Sequence, residues 1–177
     1  MTNSKLFLSL LLAGAVGTVS AQSLKDAKAA IEAEQYDKAK GMLQQLVEKK
    51  AKDGENYFYL GQIHLVNDKV DSAAYVFQQG VTNAPKEKLN VVGLGIVELE
   101  KGNVSGAESK FTEATTGLGK KDYLPLYYIG RAYIDAPKPD YKKAVEYLTK
   151  AKEGGPKDAL IPTALGDAYA GLRESSP

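Results

Sequence analysis

The residue types that carry most enzyme chemistry are sparse in this sequence. His64 is the only histidine, and the 177 residues contain no cysteine. A protein metal site or a cysteine–histidine pair needs several such side chains, so neither is expected. No Gly-x-Ser-x-Gly segment offers a serine nucleophile at a sharp turn. We therefore predict no catalytic residue, no metal ligand and no bound cofactor, and we expect His64 to pack between helices.

The acidic and glycine-rich segments give the same result. Glu98 and Glu100 are two residues apart, and side chains with this spacing do not share a helix face. We interpret them as solvated charges rather than as an acid–base pair. The Gly93-x-Gly95 segment lacks the third glycine of a phosphate-binding loop. The sequence therefore predicts a protein that is not an enzyme.

A fixed period organises most of the chain. Ala39, Ala73 and Ala107 are 34 residues apart, and Gly61 and Gly95 have the same spacing. A period of this size indicates a repeat array rather than one unique core. Small residues that recur at one register predict close crossings of paired helices. The small residues predicted on first helices are Ala27, Gly61, Gly95, Gly130 and Gly166; those on second helices are Ala39, Ala73, Ala107 and Ala144; the large residues beside them are Leu43, Phe77, Phe111 and Leu148.

The repeated motif is clearest in residues 54–87. It contains Tyr57-x-x-Leu60-Gly61-x-x-His64, followed by Ala73-x-x-x-Phe77 and a late Pro85. This pattern resembles the tetratricopeptide repeat (TPR) family, whose unit is a pair of antiparallel helices. The resemblance implies an all-α, antiparallel helix-turn-helix solenoid of about four repeats and one extra helix. The predicted units are 23–53, 54–87, 88–121 and 122–156, with a half unit at 157–177, so that the array covers residues 22–177.

The repeat register also decides two local ambiguities. Residues 91–97 form an apolar run that could be a strand, but the register predicts a helix. The tyrosines at repeat positions are expected to lie in the core; these are Tyr36, Tyr57, Tyr133, Tyr141 and Tyr169. Tyr59, Tyr127 and Tyr128 are less constrained by the pattern.

The family resemblance implies a binding surface. Arrays of this kind curve, and their first helices line a concave groove. The corresponding positions predict a partner-binding groove of Phe58, Gln62, Leu65, Val92, Ile96, Leu99, Tyr127, Arg131, Ile134 and Asp167, with Thr163 at a further equivalent position. The lysines and asparagines with which some family members bind a partner's C-terminal carboxylate are absent from these positions. A helix or an extended peptide fits such a mostly apolar surface.

Residues 1–21 have the pattern of a signal peptide. Lys5 precedes the apolar run that starts at Leu6, and Val19-Ser20-Ala21 offers small residues for cleavage before Gln22. We expect an exported, periplasmic or outer-envelope protein, with an uncleaved N-terminal membrane anchor as the alternative. Without residues 1–21 the formal charge of +1 becomes zero, because Lys5 is their only charged side chain. Since nucleic-acid binders usually carry a basic excess, no nucleic-acid partner is expected.

The predicted function is a non-catalytic scaffold or adaptor that binds a protein or peptide segment in the concave groove. Two alternatives remain open. The chain could be the N-terminal repeat domain of a larger envelope protein whose activity lies downstream of Pro177. It could also be a helical module that binds a glycan or nutrient.

Overall fold

The computed structural model describes residues 23–175, and the predicted signal peptide at residues 1–21 lies outside them. Nine helices follow one another in this part of the chain: α1 (Leu24–Glu32), α2 (Tyr36–Lys49), α3 (Gly54–Val66), α4 (Val70–Asn83), α5 (Leu89–Glu100), α6 (Val104–Thr115), α7 (Leu124–Asp135), α8 (Tyr141–Gly154) and α9 (Leu160–Glu174). Within residues 23–175 no helix combines the length and apolar character that crossing a lipid bilayer requires.

The helices pack in consecutive pairs. The hairpins are α1–α2, α3–α4, α5–α6 and α7–α8, and each second helix also contacts the first helix of the next hairpin. The first helices α3, α5, α7 and α9 contact one another in succession, whereas no second helix packs extensively against another within residues 23–175. The first helices therefore lie on the inner side of the array. The predicted all-α solenoid is confirmed.

Local signals start and end the helices. The Ser23 hydroxyl accepts a hydrogen bond from the Asp26 backbone N–H, and the Asp26 carboxylate accepts one from the Ser23 backbone. This capping box satisfies donors that would otherwise be unpaired at the start of α1. The apolar run at residues 91–97 lies inside α5, as the repeat register predicted.

Three hairpin turns place a left-handed residue at the same register. Glu34, Asp68 and Gly102 have φ values of 56°, 55° and 75°. In each turn the next residue donates its backbone N–H to the carbonyl five residues earlier, at 2.8 Å. This geometry closes the C-terminus of a helix and favours glycine. The longer link from α7 to α8 contains Pro137 and Pro139 instead.

The predicted pairing of small and large residues holds the hairpins together. A Cβ atom added to Gly61 would lie 2.2 Å from the Phe77 ring, and one added to Gly95 would lie 2.4 Å from Phe111. Gly130 makes the same approach to Leu148, at 2.5 Å. A glycine inside a helix costs about 1 kcal/mol relative to alanine. At these positions the close packing of the two helices offsets that cost. The prediction for these three crossings is confirmed.

Candidate functional site

A groove lies on the inner side of the array, across three successive first helices. Its volume is about 240 Å3. We call it the inner-face groove; its lining residues are Gln62, Leu65 and Val66 of α3, Ile96 and Glu100 of α5, and Tyr128, Arg131, Ala132 and Asp135 of α7. The structure therefore brings four of the predicted residues together around one cavity: Gln62, Leu65, Ile96 and Arg131.

Three predicted groove residues are buried in the core, so the structure does not expose their side chains on the groove surface. Phe58 and Val92 are 0% exposed, and Leu99 is 6% exposed. The Phe58 ring centroid lies 4.6 Å from that of Tyr128 and 6.0 Å from that of Phe77. The physical reason is that the first helices pack directly against one another, which encloses these side chains between hairpins.

The other predicted residues lie beside the groove. Tyr127 and Ile134 are partly buried and pack against the core of the later hairpins. Thr163 and Asp167 are exposed on α9. Asp167 does not line the groove, but it forms an ion pair with Arg131, which does.

Arg131 is held by two carboxylates. Its Nη1 donates to Asp167 Oδ2 at 2.7 Å, and its Nη2 donates to Asp135 Oδ1 and Oδ2 at 2.9 and 3.1 Å. Arg131 and Asp135 belong to α7 and Asp167 belongs to α9, so these ion pairs link the two helices. Burial raises the pKa of Asp135, Arg131 opposes this rise, and Asp167 adds to it.

Two polar groups of the groove lack partners. The Gln62 side-chain nitrogen is buried, and no hydrogen-bond partner for it lies within residues 23–175. The Glu100 carboxylate makes no ion pair in the same part of the chain. Burial raises the pKa of Glu100, and the nearby Asp68 and Asp135 raise it further. A buried donor without a partner costs free energy. A ligand that accepts a hydrogen bond from Gln62 would remove this cost.

The sequence pattern missed a second row of groove residues. Val66, Glu100 and Asp135 each lie four residues after a predicted residue, namely Gln62, Ile96 or Arg131. Residues four apart lie on one face of a helix. The signal was therefore present, because one further helical turn at the predicted register identifies the whole row.

The tyrosines divide differently from the prediction. Tyr57 and Tyr133 are buried as expected, at 2% exposure each, but Tyr169 is 52% exposed. Tyr169 is exposed because no second helix follows α9 within the described residues, and a Cβ atom at the neighbouring Gly166 would meet nothing within 4 Å. Tyr59, which the pattern left unassigned, is 8% exposed. Lys28 lies over its ring, with Nζ 4.6 Å from the centroid.

His64 is partly buried on α3, as the packing interpretation expects. Burial lowers its pKa, and the positive charges of Lys40 and Lys69 lower it further. No group of three histidine, cysteine, aspartate or glutamate side chains is arranged to hold a metal ion in the part of the chain that the structure describes.

A larger cleft of about 730 Å3 lies among the turns rather than on the inner face. Its walls come from the α2–α3 turn, from the α4–α5 turn and from the adjoining helix ends. Lys50, Lys52 and Lys86 lie beside Asp53 and Glu87 there, so basic and acidic groups are mixed. This charge-mixed cleft lies at the turns between hairpins, whereas the inner-face groove spans three successive first helices and is the better candidate site.

Comparison with known proteins agrees with this architecture. A family model described as tetratricopeptide repeat matches residues 24–88. No curated protein matches the sequence.

The solved structures that are similar to this chain have low sequence identity to it. The crystal structure of the APC/C hetero-tetramer Cut9–Hcn1 is 20% identical, with a TM-score of 0.57 over 85% of this chain; this chain spans 29% of that chain. A tetratricopeptide repeat protein from Parabacteroides merdae ATCC 43184 is 16% identical over 85% of this chain and 60% of its own, with a TM-score of 0.46. MamA is 16% identical over 83% of this chain and 84% of its own, also with a TM-score of 0.46. At 20% identity, the likeness to the Cut9–Hcn1 structure shows the fold alone.

Proposed function

We propose that the hairpins of this chain act as tetratricopeptide repeats and that the protein is a non-catalytic scaffold, which binds a protein segment in the inner-face groove. The repeat fold suggests a role in protein–protein interaction. The location of the partner on α3, α5 and α7 is the specific part of the proposal.

The observation that carries the proposal is an accessible apolar side chain next to unpaired polar groups in one cavity. Val66 is 55% exposed and lines the groove together with Leu65 and Ile96. Gln62 supplies a buried, unpaired side-chain nitrogen in the same cavity. A protein segment can cover the apolar residues and accept a hydrogen bond from Gln62, which is the combination found in pockets that fix the orientation of a ligand.

A cavity of about 240 Å3 accommodates one or two side chains rather than a whole domain. The bound segment is therefore an extended peptide or one face of a helix that anchors a side chain in the groove. Such a segment would run across the first helices, since α3, α5 and α7 each contribute a wall.

The proposal includes export to the periplasm or outer envelope through residues 1–21. Intact-mass measurement of the protein from a Gram-negative expression host is the direct test. We expect the mass of a chain that starts at Gln22. A mass that retains Met1 in a membrane fraction would support the N-terminal anchor instead.

A pair of matched variants tests the groove. Val66→Gln places a polar side chain in the groove, and Val104→Gln makes the same change on α6, where Val104 is 48% exposed. Binders are first selected from a display library of random twelve-residue peptides against the wild-type protein. We expect Val66→Gln to weaken a selected peptide roughly threefold to tenfold, because it removes apolar contact area. Val104→Gln should leave the affinity unchanged.

Amide chemical-shift mapping identifies the surface that the peptide contacts. We expect the largest changes at Gln62, Ile96 and Arg131. Peptides that bind equally well to both valine variants, with shift changes on the second helices, would refute the groove proposal.

A further inference from the structure

We propose that the inner-face groove selects a segment in which a lysine or arginine lies next to an apolar side chain. This inference rests on the proposed function and specifies the chemistry of the partner. It follows from the way in which the charged groups around the groove are already paired.

Arg131, the one cation among the described residues that line the groove, is already paired with two carboxylates. Arg131 donates to Asp135 and to Asp167, at distances between 2.7 and 3.1 Å. A partner carboxylate would have to compete with both aspartates for the same guanidinium. Arg131 keeps further N–H donors, but its positive charge is already opposed by two carboxylates, and the other N–H donor among the described lining residues is the neutral side chain of Gln62. The groove is therefore poorly suited to an acidic segment.

Negative charge at the groove exceeds what Arg131 neutralises. Glu100 and Asp135 both line the cavity, and Asp68 acts on Glu100 from the turn after α3. Glu100 and Asp68 make no ion pair within residues 23–175. Burial raises the pKa of Glu100, and repulsion from the like charges of Asp68 and Asp135 raises it further. An arriving cation would relieve this repulsion.

The apolar floor lies beside these carboxylates. Val66 on α3 occupies the repeat position that Glu100 occupies on the neighbouring first helix, α5. Leu65 and Ile96 continue the apolar surface. Lysine and arginine have apolar stems that pack on such surfaces while their charged ends stay near solvent or a counter-charge. A basic side chain can therefore lie along Val66 with its charge at Glu100, and a neighbouring apolar side chain can contact Ile96.

The peptide selection described above tests this inference through the composition of the binders. With the wild-type protein, we expect enrichment of lysine or arginine next to leucine, isoleucine, valine or phenylalanine. The probe is then one selected peptide, compared with a version in which each basic residue is replaced by glutamate. Rising salt should weaken binding of the basic peptide, since its charge pairs are partly exposed.

Two charge-reversal variants provide the matched comparison. Glu100→Lys acts in the groove, and Glu153→Lys makes the same change in the exposed last turn of α8. We expect Glu100→Lys to weaken the basic peptide about tenfold or more, because it opposes like charges. Glu153→Lys should change the affinity less than about twofold, since screening limits distant surface charges. Circular dichroism confirms that both variants keep their helices.

The outcomes separate this inference from the proposed function. Selected peptides that are rich in aspartate or glutamate, or insensitive to Glu100→Lys, but that Val66→Gln weakens, would overturn the charge inference and leave the groove function intact. Peptides that neither groove variant affects would overturn both. A failure to select any binder would count against both as well.

Discussion

The phenol oxygens of Tyr59 and Tyr128 lie 3.0 Å apart, although 69 residues separate them in the chain. Tyr59 belongs to α3 and Tyr128 to α7, two hairpins later. The equivalent residue of the intervening helix α5 is Gly93, which packs closely against the Phe77 ring. The contact between Tyr59 and Tyr128 joins two repeats that are not adjacent in the chain. It lies beside the inner-face groove, whose lining includes Tyr128.

Removal of one hydroxyl of this pair should destabilise the protein. Tyr59→Phe leaves the Tyr128 hydroxyl without its partner in a partly buried site, and we expect a loss of about 1 kcal/mol in the free energy of unfolding. The double variant with Tyr128→Phe should lose less than the sum of the two single variants, because both hydroxyls are gone. Urea denaturation of all four proteins measures this coupling. Strict additivity would show that the two hydroxyls do not interact.

The repeated glycines should respond oppositely according to whether a second helix covers them. Gly61→Ala brings a methyl group against Phe77, whose ring would lie 2.2 Å away, and should cost about 1–3 kcal/mol. Gly166→Ala meets nothing within 4 Å and should stabilise α9 by up to about 1 kcal/mol. Chemical denaturation of both variants is the measurement. Equal destabilisation would show that another helix or chain covers Gly166 in solution.

The left-handed turns allow a test of backbone strain without loss of contacts. Glu34→Gly should stabilise the protein by about 0.5–1 kcal/mol, because Glu34 has a φ of 56° that glycine adopts more readily. Gly102→Ala should cost about 1 kcal/mol although a Cβ atom there has open space within 4 Å. Thermal and urea unfolding compare the two. If Gly102→Ala is neutral, the turn rearranges instead of retaining its left-handed residue.

His64 should titrate below its ordinary pKa of 6.5, chiefly because it is partly buried and also because Lys40 and Lys69 are near. The unfolded chain then takes up a proton at a higher pH than the folded protein. The contribution of His64 to stability is therefore complete above about pH 6.5 and is lost as the pH falls towards the folded pKa. Proton NMR of this single histidine gives the pKa directly. His64→Gln should flatten the stability profile in that range, and a measured pKa at or above 6.5 would contradict the prediction.

Asn56 and Asn90 occupy equivalent positions 34 residues apart, and both are 0% exposed. Asn90 donates to the Gly54 carbonyl at 2.9 Å, whereas neither polar atom of the Asn56 side chain has a partner among the described residues. Asn56→Leu should therefore stabilise the protein by about 1 kcal/mol, and Asn90→Leu should destabilise it by about 1 kcal/mol. Urea denaturation distinguishes the two. Destabilisation by Asn56→Leu would show that its side chain has a polar partner in solution.

The repeat architecture could be predicted from residue types and spacing. Gly95 and Phe111 recur at the same register as Gly61 and Phe77, and a small residue opposite a large one requires two helices to cross closely whatever surrounds them. The same register identified α5 as a helix, although its apolar run taken alone allowed a strand. Four of the nine described lining residues of the groove were also predicted, namely Gln62, Leu65, Ile96 and Arg131.

Tertiary structure alone decided which inner-face side chains are accessible. Phe58 is enclosed because Tyr128, two hairpins away, packs against its ring at 4.6 Å. Asp167 lies on a different helix from Arg131, yet it forms an ion pair with the guanidinium that a partner's carboxylate would otherwise bind. Exposure and charge pairing depend on the sizes and charges of neighbours that meet only after successive hairpins have stacked. The sequence by itself therefore determined the hairpins and their crossings, and the packing between hairpins determined the floor and the electrostatics of the groove.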